Sequence, residues 1–288
     1  AHVVPFSALR FTKKAGDIGA LTCPPYDIIS EEQRKAYLAE NPHNIIRLEL
    51  PRDGEDPYAV AGETLKDWID TDILEKDDAK AFYLYAIDFT VDGEEKSVAG
   101  LVGRVQLTPF SEGVVLPHEE TLSKAKQDRF DLMVATGCNF SQVYSMYIDQ
   151  EHTISPAINA ISDRECNREF TDDQGVTHRL WIESDPAVCQ LLCNAFMDKK
   201  LFIADGHHRY ETAIRYRNWL REKNGSAGNA EYVMMMLVDI DQHGLVVLPT
   251  HRILMNLENY QPEEVLSALS QTFTITEIEK TQIPSALA

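Results

Sequence analysis

The stretch Leu201-Phe202-Ile203-Ala204-Asp205-Gly206-His207-His208-Arg209-Tyr210-Glu211-Thr212-Ala213 reads as a short apolar strand, a tight polar turn and the opening of a helix. Glycine reaches backbone angles closed to other residues, so Gly206 permits a sharp turn. Tyr210, Ala213 and Ile214 recur at helical spacing and supply the packing face of the helix. A helix start carries unpaired N–H groups and the positive end of the dipole, which suits it to hold an anion. His207, His208 and Arg209 add side-chain donors there, and Asp205 beside them can orient a histidine or hold a metal ion such as Mg2+. A helix start built for stability alone would carry Asp or Glu. Cationic side chains at the positive end point instead to an anionic ligand.

Downstream, the helix runs to about residue 223 and stops at Asn224-Gly225. Residues 232–240 and 245–249 read as strands paired around Asp241-Gln242-His243-Gly244, followed directly by Thr250-His251-Arg252. A helix over 262–271 and a strand over 273–278 complete that side. Upstream, Asp185 with Pro186 at the first helical position starts a helix that leads into the opening strand. Before it come a hairpin over 168–171 and 177–182, a helix over 156–164 and a strand over 142–148.

A second polar constellation precedes these: Leu116-Pro117-His118-Glu119-Glu120-Thr121-Leu122-Ser123-Lys124-Ala125-Lys126-Gln127-Asp128-Arg129. It reads as a loop that becomes a helix, with Phe130, Met133 and Val134 as the buried stripe. Lys126 and Arg129 are three apart, so they share a helical face and could close on a polyphosphate. His118-Glu119 does not continue into a zinc-protease motif, because position 122 is Leu where a second His is required.

Nearer the start, 3–11 reads as a strand and Pro24-Pro25-Tyr26-Asp27 as a stiff loop. Ser30 and Gln33 form a capping-box pattern ahead of a helix over 31–40. Residues 44–50 read as a strand with Arg47 in its middle, either on the solvent face or in a site. Residues 58–69 form an amphipathic helix, and 81–91 with 96–107 form a hairpin around Asp92-Gly93. Strands paired as hairpins with interspersed helices predict an α+β fold with mixed or antiparallel sheets. The expectation is one large unit over 1–288, with a division into subdomains at about 1–110 and 111–288 left open.

The chain has 288 residues, 44% of them hydrophobic, enough for a sizeable core. Its formal charge is −19, with Lys+Arg 27 against Asp+Glu 46. An acidic surface repels nucleic acid and anionic membranes at long range, so neither is an expected partner. A local basic pocket for a small phosphate is compatible with that balance. Five scattered cysteines argue against a disulfide framework and read as reduced thiols. No signal peptide or membrane-length apolar run is evident, so the expected location is cytoplasmic.

The sequence also resembles the bacterial and archaeal domain-of-unknown-function family 1015. The resemblance is carried by Pro5-Phe6 with Ala8 and Arg10, Pro24-Pro25-Tyr26-Asp27, Asn41-Pro42 with residues 44–48, and Leu116-Pro117-His118-Glu119. Thr121, Lys126, Asp128-Arg129, residues 204–213 and Leu248-Pro249-Thr250-His251-Arg252 continue it in the family's order. Members of that family tend to be longer, which implies a missing C-terminal part; the chain also lacks an initiator Met. More distantly, Asp205-Gly206-His207-His208-Arg209 is similar to the Gly/His/Arg turn of the ParB–sulfiredoxin–free-serine-kinase superfamily. That likeness implies a strand–turn–helix site for nucleotide phosphates.

Together these readings predict a nucleotide-dependent phosphotransferase, kinase-like, acting on a small polar molecule with ATP or another nucleotide and Mg2+. Phosphoryl transfer needs cationic clamps on the phosphates, a metal and a group that orients the nucleophile. Gly206, His207, His208, Arg209 and Tyr210 would form the phosphate turn, with Lys126, Arg129 and Arg252 neutralising charge. Glu119 is the candidate general base, Asp205 the Mg2+ ligand, and His207 a further catalytic group. Tyr26, Asp27, Arg47, His118, Thr250 and His251 are candidate substrate residues. No Walker-type loop is present, so this would not be a P-loop enzyme. Two alternatives stand beside it: a nucleotide-binding switch without turnover, and a metal-dependent hydrolase using His118, Glu119, Asp205, His207 and His251. The oligomeric state is left open, a homodimer included.

Overall fold

A computed structural model describes residues 1–91, 93–119, 123–246 and 261–279 and falls into two units, Ala1–Leu245 and Val246–Ala288. The first unit begins with β1 (Val3–Val4), β2 (Leu9–Phe11), α1 (Ile18–Leu21), α2 (Glu31–Glu40), α3 (Ile46–Glu49), α4 (Pro57–Asp70) and β3 (Leu74–Lys76). It continues with β4 (Phe82–Val91), β5 (Glu94–Gln106), β6 (Val115–Leu116), α5 (Ser123–Thr136), β7 (Val143–Tyr147) and α6 (Ser155–Ser162). It closes with β8 (Arg168–Thr171), β9 (Thr177–Glu183), α7 (Pro186–Phe196), β10 (Leu201–Asp205), α8 (His207–Asn224) and β11 (Tyr232–Asp239). In the second unit the described residues hold α9 (Pro262–Ser270). Among the described residues no helix is long and apolar enough to cross a membrane.

Local rules account for many of these elements. Ser30 accepts from the Gln33 N–H at 3.2 Å while Gln33 Oε1 accepts from the Ser30 N–H at 2.8 Å, a reciprocal cap that starts α2. Asp185 accepts from the N–H groups of Ala187 and Val188 at the start of α7, where Pro186 needs no partner for the N–H it lacks. The β4–β5 hairpin pairs from Tyr83↔Val102 to Val91↔Glu94, as the sequence predicts; Asp92 of its turn lies outside the described residues.

The main sheet is mixed, in the order β6-β10-β7-β11-β5-β4-β9-β8, and the fold is α+β. β6 runs parallel to β10 and β7 parallel to β11, while the other neighbours are antiparallel. β1 also pairs with β5, through Val105 and Arg104, beyond the point where β4 leaves it. The largest apolar cluster packs Phe82, Leu101 and Val143 of this sheet against Leu192 and Phe196 of α7 and Tyr210 of α8. Each large side chain buried this way contributes roughly 1.5–3 kcal/mol. A second cluster joins Leu48 of α3, Leu65 and Trp68 of α4 and Leu132 of α5.

Three expectations need correction. The predicted strand over 3–11 is broken after Val4, because Pro5 has no N–H for a ladder; β2 then pairs with β3 in a separate two-stranded sheet. Within the predicted strand 44–50, Ile46–Glu49 form the short helix α3 instead. Buried Asn44 accepts from the Ile46 N–H at 3.0 Å and donates to the carbonyls of Ala20 and Thr22, so its side chain turns the backbone at the start of the apolar run. For the predicted pairing of 232–240 with 245–249, residues 247–249 lie outside the described residues. Both edges of β11 are taken, by β5 over Tyr232 to Leu237 and by β7 over Met235 to Asp239. Residues 273–278 form no strand, since their backbone finds no pairing strand among the described residues.

Candidate functional site

Sheet topology brings the two polar constellations together. β6 and β10 are parallel neighbours, with Leu201 opposite Val115 and Phe202 opposite Leu116, so the chain leaves both at the same end. Leu116 is followed by Pro117, His118 and Glu119; Asp205 is followed by Gly206 and α8. β7 is antiparallel to β10, so its start lies at that end too and carries Gln142 there.

Gly206 sits at φ 94°, a region in which other residues are strained, and it occupies the N-cap position of α8. No side chain caps this helix. A methyl group at Gly206 would also lie 3.0 Å from Arg209 Nε, because the Arg209 side chain folds back over the turn. Its guanidinium ion-pairs with Asp205 and donates to the Gln142 carbonyl. The Asp205 side chain itself is 73% exposed.

Hydrogen bonding fixes the histidine tautomers beside this turn. His118 Nδ1 lies 2.8 Å from the Ile203 carbonyl, which can only accept, so Nδ1 carries the proton. The His118 backbone N–H donates to His207 Nε2 at 3.2 Å. The His207 proton therefore sits on Nδ1, which donates to Glu119 Oε1 at 3.1 Å. His207 is 1% exposed, and burial pulls its pKa down against the opposing pull of Glu119, keeping the ring neutral. The two imidazoles meet edge to face, 4.5 Å between centroids. Glu119 keeps half of its side chain exposed.

The other side of Arg209 faces a cleft of about 40 Å3, lined also by Tyr26, Glu49, Arg129 and Thr212. Buried Arg129 donates to the Glu49 carbonyl at 2.8 Å and to the Asp128 carboxylate at 2.8 Å, and its guanidinium lies 3.9 Å from the centre of the Tyr26 ring. Burial would raise the Asp128 pKa, but Arg129 and the Tyr58 hydroxyl hold it below the usual carboxylate range. Burial raises the Tyr26 pKa, with Arg129 and Arg209 opposing.

The candidate residues thus fall into groups. His118, Glu119 and His207 form one cluster; Asp205, Gly206 and Arg209 form the turn beside it; Tyr26, Arg129 and Arg209 share the cleft. Asp27 is exposed next to Tyr26, and His208 is half-buried in the first turn of α8. Lys126 pairs with Glu211 at 3.1 Å, tying α5 to α8. Arg47 pairs with Asp53 at 2.9 Å and donates to the Pro42 carbonyl; neither it nor Lys126 lines the cleft. Tyr210 is buried in the core, its hydroxyl donating to the Thr108 carbonyl at 2.7 Å. Thr250, His251 and Arg252 lie outside the described residues. Glu49 was not legible as a site residue, because a strand over 44–50 places it with Arg47 on one face. An isolated acid between Leu48 and Leu50 was the available signal.

His118, Glu119 and His207 each offer a ligand atom within 4.8 Å of the others, the spacing of a metal site. In the tautomer set by the His118 N–H, however, His207 presents N–H rather than a lone pair toward Glu119. Metal binding would need that nitrogen stripped of its proton and the Nε2 contact broken.

The sequence model of one protein family, described as Protein of unknown function (DUF1015), matches residues 3–287, and the chain belongs to that family. No curated protein and no solved structure matches it.

Proposed function

We propose that this member of the family is a nucleotide-dependent phosphotransferase acting on a small polar molecule, with the start of α8 as its phosphate site. One observation carries the reading: Arg209 lies folded over a helix start that no side chain caps, held by an exposed carboxylate and a backbone carbonyl. A phosphate arriving there meets backbone N–H groups, the helix dipole and a guanidinium suited to paired hydrogen bonds. It would displace Asp205 from Arg209. The freed carboxylate would then serve Mg2+, which takes one or two carboxylates together with phosphate oxygens. ATP or a related nucleotide fits this arrangement, and the likeness of the turn to the ParB–sulfiredoxin–free-serine-kinase superfamily points the same way.

Glu119 is the general base in this reading. The His207 N–H fixes one of its oxygens, and its half-exposed side chain can accept the proton of a substrate hydroxyl. Arg129, held by Asp128 and the Glu49 carbonyl, shapes the neighbouring cleft rather than clamping phosphate. A metal-dependent hydrolase is the second reading, favoured by the spacing of His118, Glu119 and His207 and opposed by the His207 tautomer.

Thermal unfolding with nucleotides, with and without Mg2+, tests the proposal. A ligand that binds only the folded state raises the midpoint by mass action. ATP with Mg2+ should stabilise the wild type and not Arg209→Ala. Glu119→Gln should keep the stabilisation and lose turnover by on the order of 10²-fold or more. If no nucleotide shifts the wild type while EDTA lowers its midpoint, the phosphotransferase reading fails and the hydrolase reading replaces it.

A further inference from the structure

Glu49 has no role in the phosphate site, yet it is one of the deeply buried acids among the described residues. It ends α3, is 6% exposed and lines the cleft beside Arg129 and Arg209. Among the described residues its carboxylate receives no hydrogen bond, and Arg129 reaches only its backbone carbonyl. Both neighbouring guanidiniums have other acids as partners, Asp128 for Arg129 and Asp205 for Arg209. The cleft therefore holds one carboxylate more than its guanidiniums neutralise.

We propose that this cleft binds a small organic molecule through a primary ammonium group that ion-pairs with Glu49. The Glu49 side chain is held deep, but its oxygens are not sealed from the cleft, so a group entering the cleft can reach them; a charge this deep without a partner is costly. A proton on Glu49 would remove the charge but leave an O–H that itself needs an acceptor. An ammonium ligand supplies both the charge and the donors. A divalent cation does not fit, because Mg2+ or Ca2+ needs six or more oxygen ligands, and Glu49 is the one carboxylate among the residues lining the cleft. Leu132, Met133, Phe140 and Val233 give the cleft apolar walls, and its volume of about 40 Å3 limits the ligand to a small amine with a short apolar body. The inference does not depend on phosphoryl transfer. If that reading also holds, the cleft is the place of the acceptor, with Arg209 between it and the phosphate turn.

The test uses no nucleotide, so failure of the phosphotransferase reading would leave its result intact. Thermal midpoints of the wild type, Glu49→Gln and Glu49→Leu would be measured with ethanolamine and n-butylamine. The controls are the uncharged ethylene glycol and 1-butanol, all at matched ionic strength. The amines should raise the wild-type midpoint in proportion to the logarithm of concentration, and the alcohols should not. Both variants should melt above the wild type without ligand and show no amine shift. The inference is overturned if the amines leave the wild type unmoved or shift Glu49→Gln equally. It is overturned as well if both variants melt below the wild type, which would mark Glu49 as a structural acid.

Discussion

Glu49 and Asp149 are both buried acids, and their surroundings give them opposite effects on stability. Asp149 accepts from the N–H groups of Thr153, Ile154 and Ser155 and from two hydroxyls, and Lys199 lies 3.2 Å away. Burial alone would raise its pKa, but these donors overcome it and hold the carboxyl far below the usual range. Its contribution is present above the unfolded-state value, about 3.9, and is lost as pH falls through the folded-state value. Glu49 is the reverse case. Burial raises its pKa, Arg129 and Arg209 only partly offset this, and Asp27 adds to it. The groups around it are Cys23, Tyr26 and Asp27 between α1 and α2, Asp128 and Arg129 on α5, and Arg209 on α8. Stability linked to Glu49 is present below about 4.3 and is lost as pH rises through the raised value. Asp149→Asn should lose on the order of 3 kcal/mol at pH 7, with the deficit shrinking in acid. The advantage of Glu49→Gln over the wild type should instead grow as pH rises from 4 to 8. Urea denaturation across that range checks both signs.

Among elements, the α4–α5 contact sets where Arg129 sits. Gly62 of α4 lies against α5 so closely that a methyl group would come within 2.8 Å of the Ala135 carbonyl oxygen. Gly62→Ala should gain roughly 1 kcal/mol in helix propensity but lose more by driving backbone against backbone, for a net loss of about 1–3 kcal/mol. A lower urea midpoint at unchanged m-value would bear this out; a higher one would show that the helices can separate freely. The same elements show what a sequence can reveal. The α2 cap, the β4–β5 hairpin and the start of α7 follow from residues within a few positions of each other, and each was legible. α3 was not, because the Asn44 side chain is anchored to carbonyls more than twenty residues earlier. Nor were the neighbours of β11, which depend on a sheet order that no local pattern encodes. Both polar constellations could be picked out of the chain. Their meeting could not, because it rests on the parallel pairing of β6 with β10 and on a hydrogen bond from a His118 backbone N–H.

Across the whole molecule, the −19 formal charge is the property that conditions an anion site. Like charges distributed over a surface repel one another and destabilise the compact state. The opposing surface pairs, such as Lys66 with Asp70 and Arg221 with Glu231, reach into solvent and contribute little individually. Both effects weaken as the Debye length falls from about 30 Å at 0.01 M salt to about 8 Å at 0.15 M. Repulsion acts over the longer distances and is screened first, so it should lose more than the close pairs do. The thermal midpoint should therefore rise between about 10 mM and 150 mM NaCl, where about 1 kcal/mol corresponds to roughly 2–4 °C for a domain of this size. The pair of buried Arg129 with half-buried Asp128 is screened less than the exposed pairs and should keep the cleft intact across that range. A midpoint that falls with salt would mean that the surface pairs act as a cooperative network. In that case the acidic excess would be a smaller barrier to anionic ligands than its size implies.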